Sequence, residues 1–331
     1  MLMFNRRNFI TAALSAAAMA FGMPAAADDD WPNRAIQMYV PSAAGGGADT
    51  VARLIGKHIS EQAGQPVVVE NRPGGSGVIG ANALLNAPKD GYTFMLGFTL
   101  MSQFPATTTT ELPYDVEEDF IPVSLVARSS NVWVVNPNLA DVDTVDELVE
   151  LLKAEPDAHS YGSYGYGSTG QFLGEQFKLV TDTSAEHIPY KGAAPMMTDV
   201  LGGVVSFAFP DIGSALPHLD SDRVRVLAVS GTGGERMPTL PDAPTAEELG
   251  YDDFDFGGWF GVFAAKDTPA EAVERMEQLV QDAVNDPEIQ KRLTGLNLVP
   301  VGSDTETFRE FFANDIQLWS ELAEKNNITM D

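Results

Sequence analysis

Three consecutive glycines, Gly45 to Gly47, lie between a short apolar run and a helical pattern, and this arrangement suits the binding of an anion. The run Ile36–Val40 predicts a strand, and apolar residues at helical spacing after Asp49 predict a helix. Glycines let a ligand approach backbone N–H groups closely, and the N–H groups at a helix start carry partial positive charge. The loop therefore predicts a site for a carboxylate or phosphate, although an ordinary turn between a strand and a helix has the same pattern.

A second segment later in the chain repeats this order of strand, glycine-rich loop and helix. Residues 160–170 read SYGSYGYGSTG, a short strand and a loop rich in Gly, Ser and Thr that enters a helix. Here the loop offers hydroxyl groups as well as backbone N–H groups. The sequence thus predicts two α/β units with similar glycine loops.

The acid Asp49 and the cation Arg72 are open to two interpretations each. An acid repels a carboxylate and stabilises a helix N-terminus, so a capping role is the favoured one for Asp49. Arg72 follows a predicted strand and either pairs with the ligand or forms a structural salt bridge.

Two stretches satisfy the dinucleotide fingerprint G-x-G-x-x-G as text, starting at Gly75 and at Gly165. A dinucleotide site also needs an acid at the end of the next strand, about 20 residues on, to hold the ribose. After the second stretch, Glu186 begins its predicted strand instead of ending it. We therefore expect no nucleotide cofactor, and no cofactor of another kind.

The composition and motifs argue against catalysis by a cysteine, a metal ion or a serine nucleophile. The chain has no cysteine, and its four histidines are scattered without metal-ligand spacing. Residues 74–78, GGSGV, lack the final glycine of a hydrolase nucleophile elbow. No set of nucleophile, base and orienting group is visible, so the sequence favours a binding protein over an enzyme and predicts no metal site.

The first 27 residues have the pattern of a cleaved export signal. Two arginines precede an apolar run, and three alanines before residue 28 offer a cleavage site. The arginine pair also fits a twin-arginine signal, so export by Sec or by Tat is open. We expect the remaining chain to work in the periplasm.

The net charge of −27 bears on the partners. Such a surface repels nucleic acid and anionic lipid, so neither is expected to bind. An anionic ligand also meets an unfavourable long-range field, and its binding must come from short-range donors in a cleft.

The order of predicted elements indicates an α/β fold of two domains, each a mainly parallel sheet flanked by helices. The first domain comprises residues 28–128 and 255–331, and the second comprises residues 129–254. A long strand predicted at 256–265 returns the chain to the first domain. Two crossing segments form a hinge, and a ligand is expected in the cleft between the domains.

In several of its segments the sequence resembles the Bug family, the TctC-like periplasmic solute receptors of tripartite tricarboxylate transporters. The matching segments are residues 40–49 (VPSAAGGGAD), 69–77 (VENRPGGSG), 90–93 (DGYT), 187–192 (HIPYKG) and 240–245 (LPDAPT), with Glu248, Trp259 and Gly261. They follow the family's order over nearly the whole chain after residue 27. The resemblance implies a Venus-flytrap fold of the type II binding-protein class.

The resemblance also implies which residues hold the ligand, through main-chain groups and bridging waters. The first-domain contacts are expected from Ser42, Ala43, Gly46, Gly47 and Thr99, and the second-domain contacts from Tyr166, Gly167, Ser168, Thr169 and Asp211. Asp211 either accepts from a ligand hydroxyl or water, or caps the next turn. Tyr164 and Tyr166 either line the cleft, where they would favour an aromatic or longer acid, or stack on the domain surface.

The function predicted on these grounds is that of a monomeric solute-binding protein. It would capture a small carboxylate, either a di- or tricarboxylate or an aromatic acid, and deliver it to the membrane subunits of a tripartite tricarboxylate-type transporter. Two alternatives stay open: an enzyme acting on a carboxylated substrate in the same cleft, and a receptor that reports the ligand to a signalling partner.

Overall fold

A computed structural model describes residues 31–329, so the predicted export signal at 1–27 lies outside the described residues. The first described elements are alternating strands and helices: β1 (Ile36–Val40), α1 (Gly47–Ala63), β2 (Val67–Asn71), α2 (Val78–Leu85), β3 (Thr93–Phe98), α3 (Leu100–Thr107) and β4 (Phe120–Ser129). A short 3₁₀ turn, Gly75–Gly77, precedes α2. These elements agree with the strand and helix patterns in the sequence.

The middle of the chain forms a second group of elements. They are β5 (Asn131–Val135), α4 (Val145–Ala154), β6 (Ser160–Ser163), α5 (Thr169–Thr181), β7 (Glu186–Pro189), α6 (Ala193–Gly202), β8 (Phe207–Ala208), α7 (Ile212–Ala215) and β9 (Arg225–Ser230). The last part of the described chain contains β10 (Gly258–Ala265), α8 (Ala270–Asn285), α9 (Pro287–Gly295), β11 (Leu298–Pro300) and α10 (Thr305–Asn326). None of the helices between residues 31 and 329 has the length and apolarity needed to cross a membrane.

The strands form two sheets, and each sheet with its helices is called a lobe below. The first lobe has six strands in the order β11-β4-β10-β3-β1-β2, and the second has five in the order β7-β6-β8-β5-β9. Helices α1, α8 and α9 pack on one face of the first sheet, and α2, α3 and the start of α10 pack on the other. In the second lobe, α4 and α5 lie on one face, and α6 and α7 on the other.

The two lobes with flanking helices are as predicted, but the sheets are mixed where mainly parallel sheets were expected. In the first lobe only β1 pairs in parallel, with β2 and β3, while β10 runs antiparallel to β3 and β4. In the second lobe β6 pairs in parallel with β7 and β8, whereas β5 runs antiparallel to β8 and β9. Strands β4, β5 and β10, which carry the chain between the lobes, pair antiparallel with their neighbours, and so does β11 with β4 inside the first lobe.

The residues of β1 and α1 explain why these two elements form on either side of the first glycine loop. In β1 the side chains of Ile36, Met38 and Val40 are fully buried and alternate with half-buried ones, as a strand with one core face requires. Helix α1 buries a continuous stripe of small and branched residues against the sheet. It ends at Gly64, whose φ of 66° is the left-handed conformation that glycine adopts without strain.

The lobes are joined by two closely packed crossing segments. Strand β4 passes into β5 through Ser130 alone, and Ser130 Oγ donates to the Gly231 carbonyl (3.2 Å) just after β9. A Cβ added to Gly257, just before β10, would lie 2.5 Å from the Ser129 carbonyl oxygen. Only glycine therefore fits where the returning segment passes the outgoing one; that these two crossing segments act as a hinge stays a prediction.

Helix α10 is a third connection that the sequence did not predict. Near its start, Phe308 and Phe312 are buried in the core of the first lobe. Near its end, Trp319 and Leu322 are buried in the core of the second lobe. The domain boundaries given above stay a prediction, but the end of the chain as described packs against both lobes.

Candidate functional site

A cleft of about 710 Å³ lies between the lobes, and both glycine loops contribute to its walls. Below, the first loop is residues 42–46, between β1 and α1, and the second loop is residues 164–168, between β6 and α5. Nine of the ten residues predicted as ligand contacts line this cleft: Ser42, Gly46, Gly47, Thr99, Tyr166, Gly167, Ser168, Thr169 and Asp211. Ala43 lies on the first loop but is not among the lining residues. Their contact with a ligand stays a prediction.

The first loop is held to α1 by Asp49, in agreement with the capping interpretation. The Asp49 carboxylate accepts from the Gly45 amide (2.9 Å) and pairs with the Arg53 guanidinium (2.9 Å). The hydrogen bond from Arg53, together with that from Gly45, holds the pKa of Asp49 below its ordinary value. Asp49 is buried and charged, and it leaves the outer side of the loop free.

The start of α1 offers donors without partners. Its fourth residue, Thr50, donates its amide to the Gly46 carbonyl (2.9 Å), but within residues 31–329 the amides of Gly47, Ala48 and Asp49 have no acceptor. Ser42 Oγ is buried and also has no hydrogen-bond partner there. Since Ser42, Gly47 and Ala48 all line the cleft, these donors can serve a ligand.

The second loop uses its polar groups differently. The Gly167 amide donates to Gln171 Oε1 (2.7 Å), and the Gly165 carbonyl accepts from Ser168 Oγ (2.6 Å) and Ser163 Oγ (3.1 Å). Ser168 Oγ also accepts from the Gln171 amide (3.4 Å), as the N-cap of α5. The Ser168 hydroxyl that the sequence offered as a ligand donor is thus already bonded inside the second lobe.

A buried serine–histidine pair supports the second loop from behind. Ser163 Oγ lies 2.7 Å from His187 Nε2, and the His187 ring stacks on Tyr161 with centroids 4.8 Å apart. Burial lowers the pKa of His187, which keeps the ring neutral at neutral pH. Ser163 is fully buried and neither residue lines the cleft, so the pair braces the loop and does not face a substrate. No spacing in the sequence indicates this contact, because it joins neighbouring parallel strands.

Both tyrosines of the second loop line the cleft, which answers the question left open by the sequence. Tyr164 is half-buried, and its hydroxyl lies 3.4 Å from Asn131 Nδ2. Burial raises the pKa of Tyr164 to about 12, so the hydroxyl stays protonated. Tyr166 is 58% exposed and rests edge-on against the His187 ring, with centroids 5.7 Å apart.

Formal positive charge is missing from the lining of the cleft. Among the lining residues that the structure describes, Asp211 is the single charged side chain. It caps α7 by accepting from the amide (2.9 Å) and the hydroxyl (2.7 Å) of Ser214. Arg72 does not line the cleft and pairs with Glu70 (2.8 Å), as its structural interpretation predicted. An anion here depends on amide and hydroxyl dipoles.

Several lining residues come from parts of the chain that the sequence did not indicate. Gln103 of α3 donates to Thr169 Oγ1 (2.9 Å) and so connects the two walls. Phe260 of β10 and Leu296, between α9 and β11, add apolar surface on the first lobe. They are far from the loops in sequence and carry no motif, so only the tertiary fold reveals them. Between residues 31 and 329 no group of three or more His, Asp or Glu side chains is arranged to hold a metal ion.

Comparison with known proteins gives consistent matches over most of the chain. The model of the family TctC, described as "Tripartite tricarboxylate transporter family receptor", matches residues 51–328. Protein BugT of Bordetella pertussis is 35% identical over 296 residues, which are 88% of this chain and 89% of that protein.

Two solved structures extend the comparison to bound ligands. The R. palustris protein Rpa4515, solved with adipate, is 32% identical with a TM-score of 0.79, covering 90% of this chain and 99% of that one. MatC from Rhodopseudomonas palustris, solved with bound malate, is 26% identical with a TM-score of 0.73, covering 88% of this chain and 99% of that one. These likenesses confirm the two-domain periplasmic binding-protein fold that the sequence predicted.

Proposed function

Because the chain belongs to the TctC family, the receptors of tripartite tricarboxylate transporters that include the Bug proteins, we propose that it captures a small carboxylate in its cleft and delivers it to such a transporter. The resemblance seen in the sequence motifs is thereby confirmed. The carboxylate and the delivery are the proposal.

The observation that carries the proposal is the set of unpartnered donors around the first loop. The amides of Gly47 and Ala48 and the hydroxyl of Ser42 lie together at the start of a 17-residue helix and line the cleft. A hydrogen bond to a charged group contributes about 1.5–3 kcal/mol, and the helix dipole favours the same sign of ligand charge. Two or three such bonds hold a carboxylate without any cation.

The two-lobed architecture supports capture by closure. The first and second loops lie on opposite lobes, and the lobes are joined by a hinge of two crossing segments. Closure around a ligand removes water, and an electrostatic contact is stronger in a site of low dielectric. This offsets the unfavourable field of an acidic chain with a net charge of −27.

The relatives agree with this class of ligand. Rpa4515 was solved with adipate and MatC with malate, and both ligands are carboxylates. Since structural neighbours are periplasmic proteins, we propose that this chain is exported by Sec or Tat, loses residues 1–27 and works in the periplasm. It acts there as a monomeric receptor and not as an enzyme, with transporter subunits as its partners and without nucleic acid.

The proposal is tested by calorimetry and thermal unfolding of the purified protein with a panel of mono-, di- and tricarboxylates. A ligand at 100 times its Kd stabilises the folded state by about 2.7 kcal/mol, which raises Tm. Ser42→Ala removes a buried hydroxyl without a partner, so the Tm of the free protein stays the same or rises, while the Kd of the bound carboxylate rises about tenfold.

The matched control is Ser320→Ala, since Ser320 is an exposed serine of α10 that bonds only to its own helix. This variant keeps both its Tm and the wild-type Kd. A panel in which no carboxylate binds, or equal Kd values for Ser42→Ala and Ser320→Ala, contradicts the proposal.

A further inference from the structure

We propose that the ligand carries its carboxylate on an apolar body, an aromatic ring or an aliphatic chain, and that Tyr166 is the residue that selects this body. The inference rests on the carboxylate-binding function proposed above and adds the chemistry of the rest of the molecule.

Apolar surface begins directly beside the unpartnered amides. A Cβ added to Gly47 would lie 3.4 Å from the Phe260 ring, so that ring borders the start of α1. Phe260, Phe98 and Leu100 are half-buried cleft residues, and Leu296 is 40% exposed. A ligand whose carboxylate binds at Gly47 therefore places its next carbon atoms against aromatic and aliphatic side chains.

The opposite wall presents an aromatic ring to the same space. Tyr166 is a large side chain left 58% exposed, and it lines the cleft. Exposed apolar groups that converge in a concave site mark the place where a ligand buries its own apolar surface. When the lobes close, Tyr166 covers the ligand body from the side opposite Phe260.

The Tyr166 ring is supported along one edge before a ligand arrives. Its ring rests on His187, which stacks on Tyr161, and the Tyr161 hydroxyl donates to Glu175 (2.5 Å). Ser163 holds His187 from the side through a 2.7 Å contact. A ring that is already positioned loses little entropy on binding, so its contact with the ligand contributes fully to affinity.

Many polar side chains of the cleft already have partners within the protein. The side chains of Thr50, Gln103, Ser168 and Ser214 donate, and the hydroxyl oxygens of Thr99 and Thr169 accept from the Trp259 amide and from Gln103 Nε2. Asp211 adds a negative charge to the second-lobe wall, and no cation lines the described cleft. A polar or anionic body would lose its hydration without new partners, whereas an apolar body gains by burial.

Titration calorimetry at pH 7.5 with four probes tests the inference on the whole mature protein. The probes are 3-phenylpropionate and hexanoate, with apolar bodies, and succinate and malate, with a second carboxylate. For the wild type we expect the Kd of the better apolar probe to be at least about tenfold lower than that of either dicarboxylate. Tyr166→Ala raises the Kd of 3-phenylpropionate about tenfold and leaves that of succinate within about twofold, and Tyr166→Phe restores wild-type affinity for 3-phenylpropionate.

The possible failures are distinguishable. If succinate or malate binds more tightly than both apolar probes, the inference is overturned while the carboxylate-binding function stands. If Tyr166→Ala changes the Kd of all bound probes equally, or of none, the selecting role of Tyr166 is overturned. If neither these four probes nor the wider carboxylate panel binds, the proposed function itself fails. An unchanged Tm of the unliganded variants shows that the loop still folds.

Discussion

The first and second loops face one cleft from opposite lobes, and their polar groups have different partners. In the first loop Ser42 Oγ has no partner, and the amides of Gly47 and Ala48 that follow it have none within the described chain. In the second loop the Gly167 amide and the Ser168 hydroxyl both bond inside their own lobe. Within residues 31–329 the amide of Thr169 at the start of α5 also has no acceptor, so the loops differ in their serine hydroxyls and in the Gly167 amide, not in every amide.

This difference assigns a separate task to each lobe. A buried donor without a partner costs about 1–3 kcal/mol, and a ligand that accepts its hydrogen bond recovers that free energy. A loop whose groups are satisfied internally gains no such bond from a ligand, but it holds its side chains in place. We therefore expect the first lobe to supply most of the hydrogen bonds to the anion, and the second to supply a wall that presents Tyr164 and Tyr166.

The largest expected effect comes from removing a single amide of the first loop. Gly47 is the first residue of α1, a position that tolerates proline, and Gly46 before it is extended (φ −78°, ψ 174°) as a residue preceding proline should be. Gly47→Pro therefore keeps the helix but loses one donor. We expect the Kd of the best carboxylate to rise about 10- to 100-fold, measured by titration calorimetry.

Gly47→Ala is the matched control, because it adds a Cβ beside Phe260 while the amide is retained. Its Kd stays within about threefold of the wild type, corresponding to about 0.6 kcal/mol. If alanine and proline weaken binding equally, the steric change explains the loss and the amide plays no part.

In the second loop we expect a moderate loss of stability with little change in ligand affinity. Ser168→Ala removes the N-cap of α5 and one donor to the Gly165 carbonyl, so the free energy of unfolding falls by about 1 kcal/mol. Urea denaturation measures this loss. The Kd of the carboxylate changes less than about threefold, the reverse of the pattern expected for Ser42→Ala. A large loss of affinity with unchanged stability would show that the second loop also holds the anion.

The smallest expected effect is a difference in the pH at which the groups that support each loop stop stabilising the fold. Burial lowers the pKa of His187 behind the second loop, with Glu175 opposing and Lys178 adding to the shift. The folded state favours the neutral ring, so its stability is complete above the ordinary pKa of 6.5 and falls as the pH drops below it. The pKa of Asp49, which anchors the first loop, is lowered from 3.8, and its contribution persists until the pH falls below that value.

Thermal unfolding between pH 4.5 and 8 measures this difference in wild type and in His187→Gln, which keeps a polar side chain beside Ser163 but does not titrate there. We expect Tm of the wild type to fall further below pH 6.5 than that of the variant. Parallel Tm profiles would show that His187 does not titrate differently in the folded and unfolded states.

The sequence predicted what local patterns determine. The apolar run Ile36–Val40 located β1, and the helical spacing of apolar residues after Asp49 located α1, because both follow from the period of the element. The first loop was predicted as an anion site from its glycines and the helix after it. Its unpartnered Ser42 hydroxyl is consistent with that interpretation.

Features that depend on distant segments were not predicted. The mixed pairing of the sheets involves the strands that cross between the lobes and also β11, and the direction of these strands is not encoded in their own residues. The second loop matched the first in composition, yet its hydroxyls are occupied because Gln171 and Ser163 lie within reach in three dimensions. Phe260 and Leu296 line the cleft because the fold brings them there, and no pattern in the sequence predicted this position.

A crystal structure with the most tightly bound carboxylate tests the central claim most directly. We expect both carboxylate oxygens within about 3.2 Å of donors at the start of α1, namely the Gly47 and Ala48 nitrogens and Ser42 Oγ. The second loop should keep its internal hydrogen bonds from Gly167 and Ser168. A carboxylate bound to the amides of the second loop, with Ser42 and Gly47 still unpartnered, would contradict the division of tasks between the lobes.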